Sequence, residues 1–343
     1  MQKRHVNIPI FIPHFGCPNT CVFCNQRMIS GRESFDPRSV NDTVDAVLST
    51  VDPAVSDVEI AYFGGSFTGI DRDLMRQLLR IADSYCKRGL VQGIRLSTRP
   101  DYIDRDVLDI LASFPISAVE LGIQSVSERV LIESERGHTL NDTERAISLL
   151  REYGMPCVGQ MMIGLPSSTL EDELATARLL ISSSVSAVRI YPTVVFRNTA
   201  LEKMTERGEY TPLTLRDAVL RTSEVFSLFV RAGIPVIRIG LCANDALVDP
   251  DSYCAGPNHP ALGELVIGAY YYQEIIRKIE LPATETRGRT LILSVPPGYT
   301  SIVIGQRACY KNQLLQIYGL RKIAVHEDER IPPYTVGVQL VTF

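Results

Sequence analysis

The chain has no apolar run long enough to span a membrane. It has no excess of basic residues, since the formal charge at pH 7 is −4, and so carries no whole-protein signature of nucleic-acid binding. It has no disulfide framework, because its eight cysteines are spread over 343 residues. Internal repeats and low-complexity segments are absent. Lys3 and Arg4 precede apolar residues as a secretion signal would, but Pro9 and Pro13 interrupt that run and no small-residue cleavage site follows. A cytoplasmic location is therefore expected. Hydrophobic content of 45% with 22% charged residues is ordinary for a globular protein. The length suits one large domain plus a small one.

What is concentrated in the chain is thiol. Cys17, Cys21 and Cys24 follow the spacing Cys-x3-Cys-x2-Cys, on a loop leaving an apolar run, Ile8 to Phe15, that reads as a strand broken by prolines. Thiols this close in a reducing compartment are metal ligands before they are disulfides. Structural zinc closes with four protein ligands, and iron–sulfur clusters are usually held by four cysteines. Three cysteines leave one iron of a four-iron cluster open to a small molecule that chelates through an amine and a carboxylate. A zinc loop completed by a distant histidine is the alternative. The spacing is similar to that of the radical S-adenosylmethionine (SAM) superfamily. That resemblance implies SAM on the open iron, split by one electron into methionine and a 5′-deoxyadenosyl radical.

After this loop, apolar runs alternate with helical patterns. Strands are expected at Val58–Phe63, Gly93–Thr98, Ala118–Ile123, Cys157–Ile163, Ser186–Tyr191 and Pro235–Ile239, with helices between them. Near-continuous apolar strands separated by helices mean a parallel sheet covered on both faces. The unit count predicts a partial (β/α)6 TIM-like barrel with a small α+β C-terminal extension. Right-handed crossovers place all strand ends on one side, where such barrels keep their active sites.

The unusual chemistry falls at those ends. Gly64, Gly65 and Ser66 end the second strand, where glycine lets backbone approach a ligand and free carbonyls can accept from the SAM ammonium. Ser97 and Arg99 end the third strand, the guanidinium offering a fork for a carboxylate. A surface salt bridge is the plainer role for Arg99. Gln124 and Gln160 are amides in buried patterns that need partners; ribose hydroxyls and core hydrogen bonds both fit. Arg189, Tyr191 and Arg238 lie on or beside late strands, where a cation must be paired or face the cavity. The cavity is preferred, with Arg189 and Tyr191 as candidate catalytic residues. Phe23 is expected to pack near the cluster, and Cys86, Cys157 and Cys309 to be buried small hydrophobes. Cys242, Cys254 and His259 match no strong metal template.

Residues 1–245 are expected to form the barrel, 246–262 a linker and 263–343 the tail. In the tail, strands are expected at Thr290–Val295, Ser301–Ile304 and Val336–Val341, and helices at Gly263–Lys278 and Arg307–Tyr318. Between Thr286 and His326 stand Arg287, Arg289, Arg307, Lys311, Arg321 and Lys322, with no Asp or Glu. A solvated face is the default for such a patch; contact with RNA phosphates through Arg307, Lys311, Arg321 and Lys322 is the alternative. Val295-Pro296-Pro297-Gly298, then Ile302-Val303-Ile304-Gly305 and a helix, resembles an RNA-binding KH module, except that its Gly-x-x-Gly loop would need glycine where Ala308 stands.

Several ordered motifs make the superfamily resemblance specific over roughly residues 5 to 260. They include His14-Phe15-Gly16-Cys17 through Cys24-Asn25-Gln26, Phe63-Gly64-Gly65-Ser66-Phe67-Thr68, Ser97-Thr98-Arg99-Pro100-Asp101, Glu120-Leu121-Gly122-Ile123-Gln124-Ser125, Arg136-Gly137-His138-Thr139, Met162-Ile163-Gly164-Leu165-Pro166 and Arg189-Ile190-Tyr191-Pro192. They are similar to the group containing the elongator catalytic subunit, which modifies the wobble uridine of transfer RNA. The resemblance implies a four-iron four-sulfur cluster on Cys17, Cys21 and Cys24, SAM as cosubstrate, and a reductant such as flavodoxin or ferredoxin. The first cysteine spacing is shorter than in elongator enzymes, and the tail shows no acyl-CoA-type glycine loop. The carboxymethyl-forming reaction is therefore not carried over. A radical SAM enzyme acting on a nucleoside in tRNA or other RNA is expected. The alternatives are a coproporphyrinogen-oxidase-like enzyme for a carboxylated metabolite and a non-catalytic metal-binding protein.

Overall fold

The computed structural model describes residues 4–12, 16–17, 21–25, 35–52, 55–241 and 252–342. Pro18, Asn19 and Cys242 lie outside the described residues. The chain divides into two units, residues 1–213 with 234–258, and residues 214–233 with 259–343.

In the first unit the elements alternate along the chain: β1 (Arg4–Ile12), α1 (Ser39–Leu48), β2 (Ser56–Gly64), α2 (Arg72–Lys87), β3 (Gly93–Thr98), α3 (Arg105–Leu111), β4 (Ile116–Gln124) and α4 (Glu128–Glu133). There follow α5 (Leu140–Glu152), β5 (Cys157–Ile163), α6 (Leu170–Ser182), β6 (Ala187–Pro192), the short β7 (Val195–Phe196) and α7 (Ala200–Glu206). Beyond a helix of the second unit, α8 (Leu215–Ala232), the first unit resumes with β8 (Val236–Ile239) and β9 (Tyr253–Ala255). Seven strands pair in parallel in the order β1-β2-β3-β4-β5-β6-β8 and curl into a half-barrel, as expected. Pro9 sits in β1 at the sheet edge, where one side of the strand needs no ladder partner.

Local sequence fixes the helix starts. Asp71 caps α2 by accepting from the backbone N–H groups of Asp73 and Leu74, both at 3.0 Å. Thr139 with Asp142, and Thr169 with Asp172, form reciprocal capping boxes on α5 and α6. Beneath the helices, Ile60, Ile94, Leu96, Val119, Leu121, Ile123, Met161, Ile163, Val188 and Ile190 are buried along the strands. The alternate residues turn inward and carry the polar chemistry.

In the second unit α8 packs with α9 (Leu262–Lys278). Its remaining elements are α10 (Ala283–Thr286), β10 (Thr290–Val295), α11 (Thr300–Ile304), α12 (Cys309–Ile317), β11 (Lys322–Glu327) and β12 (Gly337–Val341). The three strands order as β11-β10-β12. The expected strand at Ser301–Ile304 is instead the short helix α11. Its β-branched residues favour a strand locally, but Gly268 of α9 leaves room for the Ile302 carbonyl, and Gly305 at φ +79° ends the turn. Packing overrides propensity here. The partner strand the periodicity did not give is β11.

Candidate active site

Two glycines dock the cysteine loop on the barrel. Gly16 has φ +74°, and a Cβ there would lie 2.1 Å from the Ser66 carbonyl oxygen. Gly64 has φ +111°, and a Cβ there would lie 2.7 Å from the Ile12 carbonyl oxygen. The Gly65 N–H donates to that same Ile12 oxygen at 2.8 Å. The glycine pair thus brings backbone close to β1 and to the loop start, the close approach glycine permits.

Around Cys17 the structure gathers the Ser66 backbone N–H, which donates to its sulfur, and the Arg99 and Arg136 guanidiniums. Burial pushes the Cys17 thiol up, while Arg99, the Ser66 amide and Arg136 pull it back toward thiolate. Cys21 is buried, and its sulfur accepts from Arg136 Nη1 at 3.1 Å. The other amine of Arg136, Nη2, donates to the Gly122 carbonyl at 2.6 Å. Cys24 closes a turn on Cys21, its N–H donating to the Cys21 carbonyl at 2.9 Å. Phe23 packs against Val22, Val195, Leu201 and Tyr210. Among the described residues no three His, Cys, Asp or Glu side chains converge on one point.

Ser66 and Thr98 share a 2.7 Å hydrogen bond between hydroxyls, and the Arg99 N–H donates to Ser66 Oγ at 3.2 Å. Arg99 is 4% exposed and grips Asp101 through two 2.9 Å hydrogen bonds, leaving Nη1 buried without a partner. It is neither a surface residue nor fully satisfied; a buried orphan donor on a cation is suited to an anion. Gln124 takes φ +66° at a register shift between β4 and β5, and its Oε1 is buried without a partner. Such a bulge re-aims a side chain at a sheet end. His138 is held down to about 3 by burial, then by the Arg136 and Arg99 charges, so its imidazole is neutral.

A second group lies along the strands. Glu120, buried in β4, accepts from Gln160 Nε2 at 2.7 Å, Arg189 Nη2 at 2.8 Å and Arg95 Nη1 at 3.2 Å. Arg95 also donates to Glu59 at 2.8 Å. Arg189 therefore takes the paired alternative, with Tyr191 hydrogen-bonded to it and the Phe63 ring 5.7 Å from its guanidinium carbon. Gln160 has its core partner in Glu120. Ser97 lies opposite Glu120 in the β3–β4 register, and Arg238 opposite Arg189 in β6–β8. Gln160, Arg189 and Tyr191 are thus joined through Glu120 and not through the thiols. Sequence reasoning passed over Arg95 and Glu59, and gave no role to Arg136 and Glu120, which it quoted only within motifs. For Glu120, Arg95 and Glu59 the signal was a charge inside an apolar strand, which must be paired; Arg136, beyond α4, carried no such signal.

Outside these groups, Cys254 donates to the Val195 carbonyl at 3.4 Å, and His259 Nδ1 accepts from the Ala261 N–H at 3.1 Å. Cys157 is buried, and Cys86 and Cys309 are partly buried.

Residues 11–180 match the profile of the Radical SAM superfamily, and residues 185–271 that of the Radical SAM C-terminal domain. A tRNA uridine(34) acetyltransferase of Dehalococcoides mccartyi is 29% identical over 56% of this chain and 48% of its own length. The Elongator complex protein 3 of Homo sapiens is 24% identical over 61% of this chain and 46% of its own length. The chain spans about half the length of these two curated relatives. An uncharacterized protein of Methanocaldococcus jannaschii is 28% identical over 62% of this chain and 68% of its own length. Among solved structures, the archaeal Methanocaldococcus infernus Elp3 superposes with a TM-score of 0.60 at 19% identity, covering 84% of this chain and 71% of that one.

Proposed function

This chain belongs to the radical SAM superfamily, and from that membership we propose that Cys17, Cys21 and Cys24 hold its cluster and that its substrate is a nucleoside in RNA. Enzymes of the superfamily use a four-iron four-sulfur cluster and SAM, and the bound pair supplies a one-electron cleavage of SAM to methionine and a 5′-deoxyadenosyl radical.

The residues present fit such a group. The observation that carries the reading is the setting of the first two thiols. Burial holds the Cys17 thiol up, but Arg99, the Ser66 amide and Arg136 each act against it, and Arg136 donates to the Cys21 sulfur. The orphan Nη1 of Arg99 offers an unfilled cationic donor to a carboxylate, as Arg136 Nε does beside it, and Gln124 Oε1 offers an acceptor to a hydroxyl or amine. Asp101 orients the Arg99 fork. Gly16 and Gly64 hold the loop against β1 and the Ser66 turn. The Glu120 group fixes Arg189 and Tyr191 in the barrel interior. There Tyr191 can bind a substrate hydroxyl or hold a proton at its phenolic oxygen.

RNA as substrate class is supported by the named activity of the Dehalococcoides relative and by the carboxylate-free run carrying Arg307, Lys311, Arg321 and Lys322. Anaerobic reconstitution with iron and sulfide tests the cluster. The brown protein should form 5′-deoxyadenosine from SAM under a strong reductant or reduced flavodoxin. A colourless protein that retains zinc and never makes this product rules the reading out. Filter binding at low salt tests the RNA, where no affinity for tRNA would remove the substrate proposal.

A further inference from the structure

The second unit contains a strand–helix–loop–helix–strand run that the SAM chemistry does not use. β10 and β11 pair in parallel from Thr290 opposite Lys322 to Val295 opposite Glu327. β12 pairs antiparallel with β10 on its other side. Between the strands, α11 and α12 are joined by Gly305-Gln306-Arg307-Ala308. In KH modules a four-residue loop in this place clamps the backbone of about four nucleotides of a single strand.

The sequence departs from that module at Ala308, where the second glycine should be. The structure removes the objection. Arg307 and Ala308 sit at φ +52° and +58°, so the chain takes the left-handed turn without the glycine. Left-handed backbone is unfavourable for residues with a Cβ, and local packing keeps the turn. The Ala308 N–H donates to the Gly305 carbonyl at 2.9 Å. Tyr310 packs on Gly305 and stacks on Tyr272 of α9, ring centroids 5.0 Å apart. The anchoring side chains face inward, and Gln306 and Arg307 are left exposed.

Charge is arranged to match. Arg287, Arg289, Arg321 and Lys322 gather where β10 and β11 begin, since the Arg321 N–H donates to the Arg289 carbonyl at 2.9 Å and Lys322 lies opposite Thr290. None of these four, nor Arg307 or Lys311, is in an ion pair among the described residues. The carboxylates Glu327 and Asp328 lie at the far end of β11, engaged with Thr300 and Arg330. Helix α12, about 14 Å long at 1.5 Å per residue, separates the loop from this basic rim. A few nucleotides of extended strand bridge that distance.

We propose that residues 287–327 bind the sugar–phosphate backbone of single-stranded RNA, with the Gly305–Ala308 loop as clamp and Arg287, Arg289, Arg321 and Lys322 as its continuation. This deepens the RNA reading above and rests on it. The test is anisotropy titration of the full chain with a fluorescent single-stranded oligoribonucleotide, and with the same sequence closed into a duplex, at about 50 and about 200 mM salt. The parent should prefer the single strand. Gln306→Asp with Arg307→Asp should weaken that binding at least about tenfold. Arg321→Ala with Lys322→Ala should lower the slope of log affinity against log salt by about 1–2. Both variants should keep the parent melting temperature and form 5′-deoxyadenosine from SAM in the absence of RNA at the parent rate. If the parent binds RNA and both variants bind it equally well, or if duplex is preferred, the clamp is wrong and the RNA reading stands. If the parent binds no RNA, both fall.

Discussion

Glu120 is the residue on which the barrel interior turns. It is a buried carboxylate with three donors on three different strands. Removing one partner of such a group leaves charge uncompensated, which costs about 3–5 kcal/mol. Glu120→Ala should therefore lower the denaturant midpoint strongly, and Glu120→Gln, which keeps an acceptor, should lower it less. Equal midpoints for parent and Glu120→Ala would show that the network contributes nothing to folding. Arg136 makes a second residue-level prediction. Cluster potentials respond to hydrogen bonds on the ligand sulfurs, so Arg136→Met should shift the reduction potential to more negative values in an EPR-monitored titration of the reconstituted protein. An unchanged potential would separate Arg136 from the cluster. His138 provides a pH signature. Its folded value of about 3 lies below the ordinary 6.5, so below pH 6.5 the unfolded chain takes up a proton that the folded chain refuses. Stability present above pH 6.5 should fall as the pH drops toward 3. His138→Phe should flatten that part of the curve of unfolding free energy against pH, and an unchanged curve would rule the histidine out as its source.

At the scale of elements, the barrel was legible and the partners of its side chains were not. The apolar runs gave the strands of the half-barrel because a sheet covered on both faces needs continuous apolar strands, a local signal. The Asp71 cap on α2 is equally local, one side chain bonding two N–H groups within three residues. The thiol trio and the Gly64-Gly65 turn were visible as spacing and composition. That Arg189 would pair with Glu120, 69 residues away, was not visible, because nothing local records which strand faces which. Ser301–Ile304 failed for the same reason: its helical form depends on α9. Gly16 carries the element-scale prediction. A methyl group there meets the Ser66 carbonyl on a left-handed backbone, so Gly16→Ala should lose iron incorporation while far-UV circular dichroism keeps the barrel signal. Full iron content in Gly16→Ala would show that the close approach is dispensable.

At the scale of the whole molecule, one unit carries the half-barrel with the cysteine loop, and the other a three-stranded sheet, ordered β11-β10-β12, with a basic run free of carboxylates. Among the described residues no helix is long and apolar enough to cross a membrane. The central claim is that the three thiols of Cys17, Cys21 and Cys24 seat a cluster whose open iron takes SAM, with Arg136 donating to the Cys21 sulfur. The most direct measurement is 5′-deoxyadenosine formed from SAM by anaerobically reconstituted protein under reductant, for the parent and for Cys17→Ala, Cys21→Ala and Cys24→Ala separately. The parent should form the product and each variant should form none. Product from any one of the three variants at the parent rate, or none from an iron-loaded parent, would contradict the account.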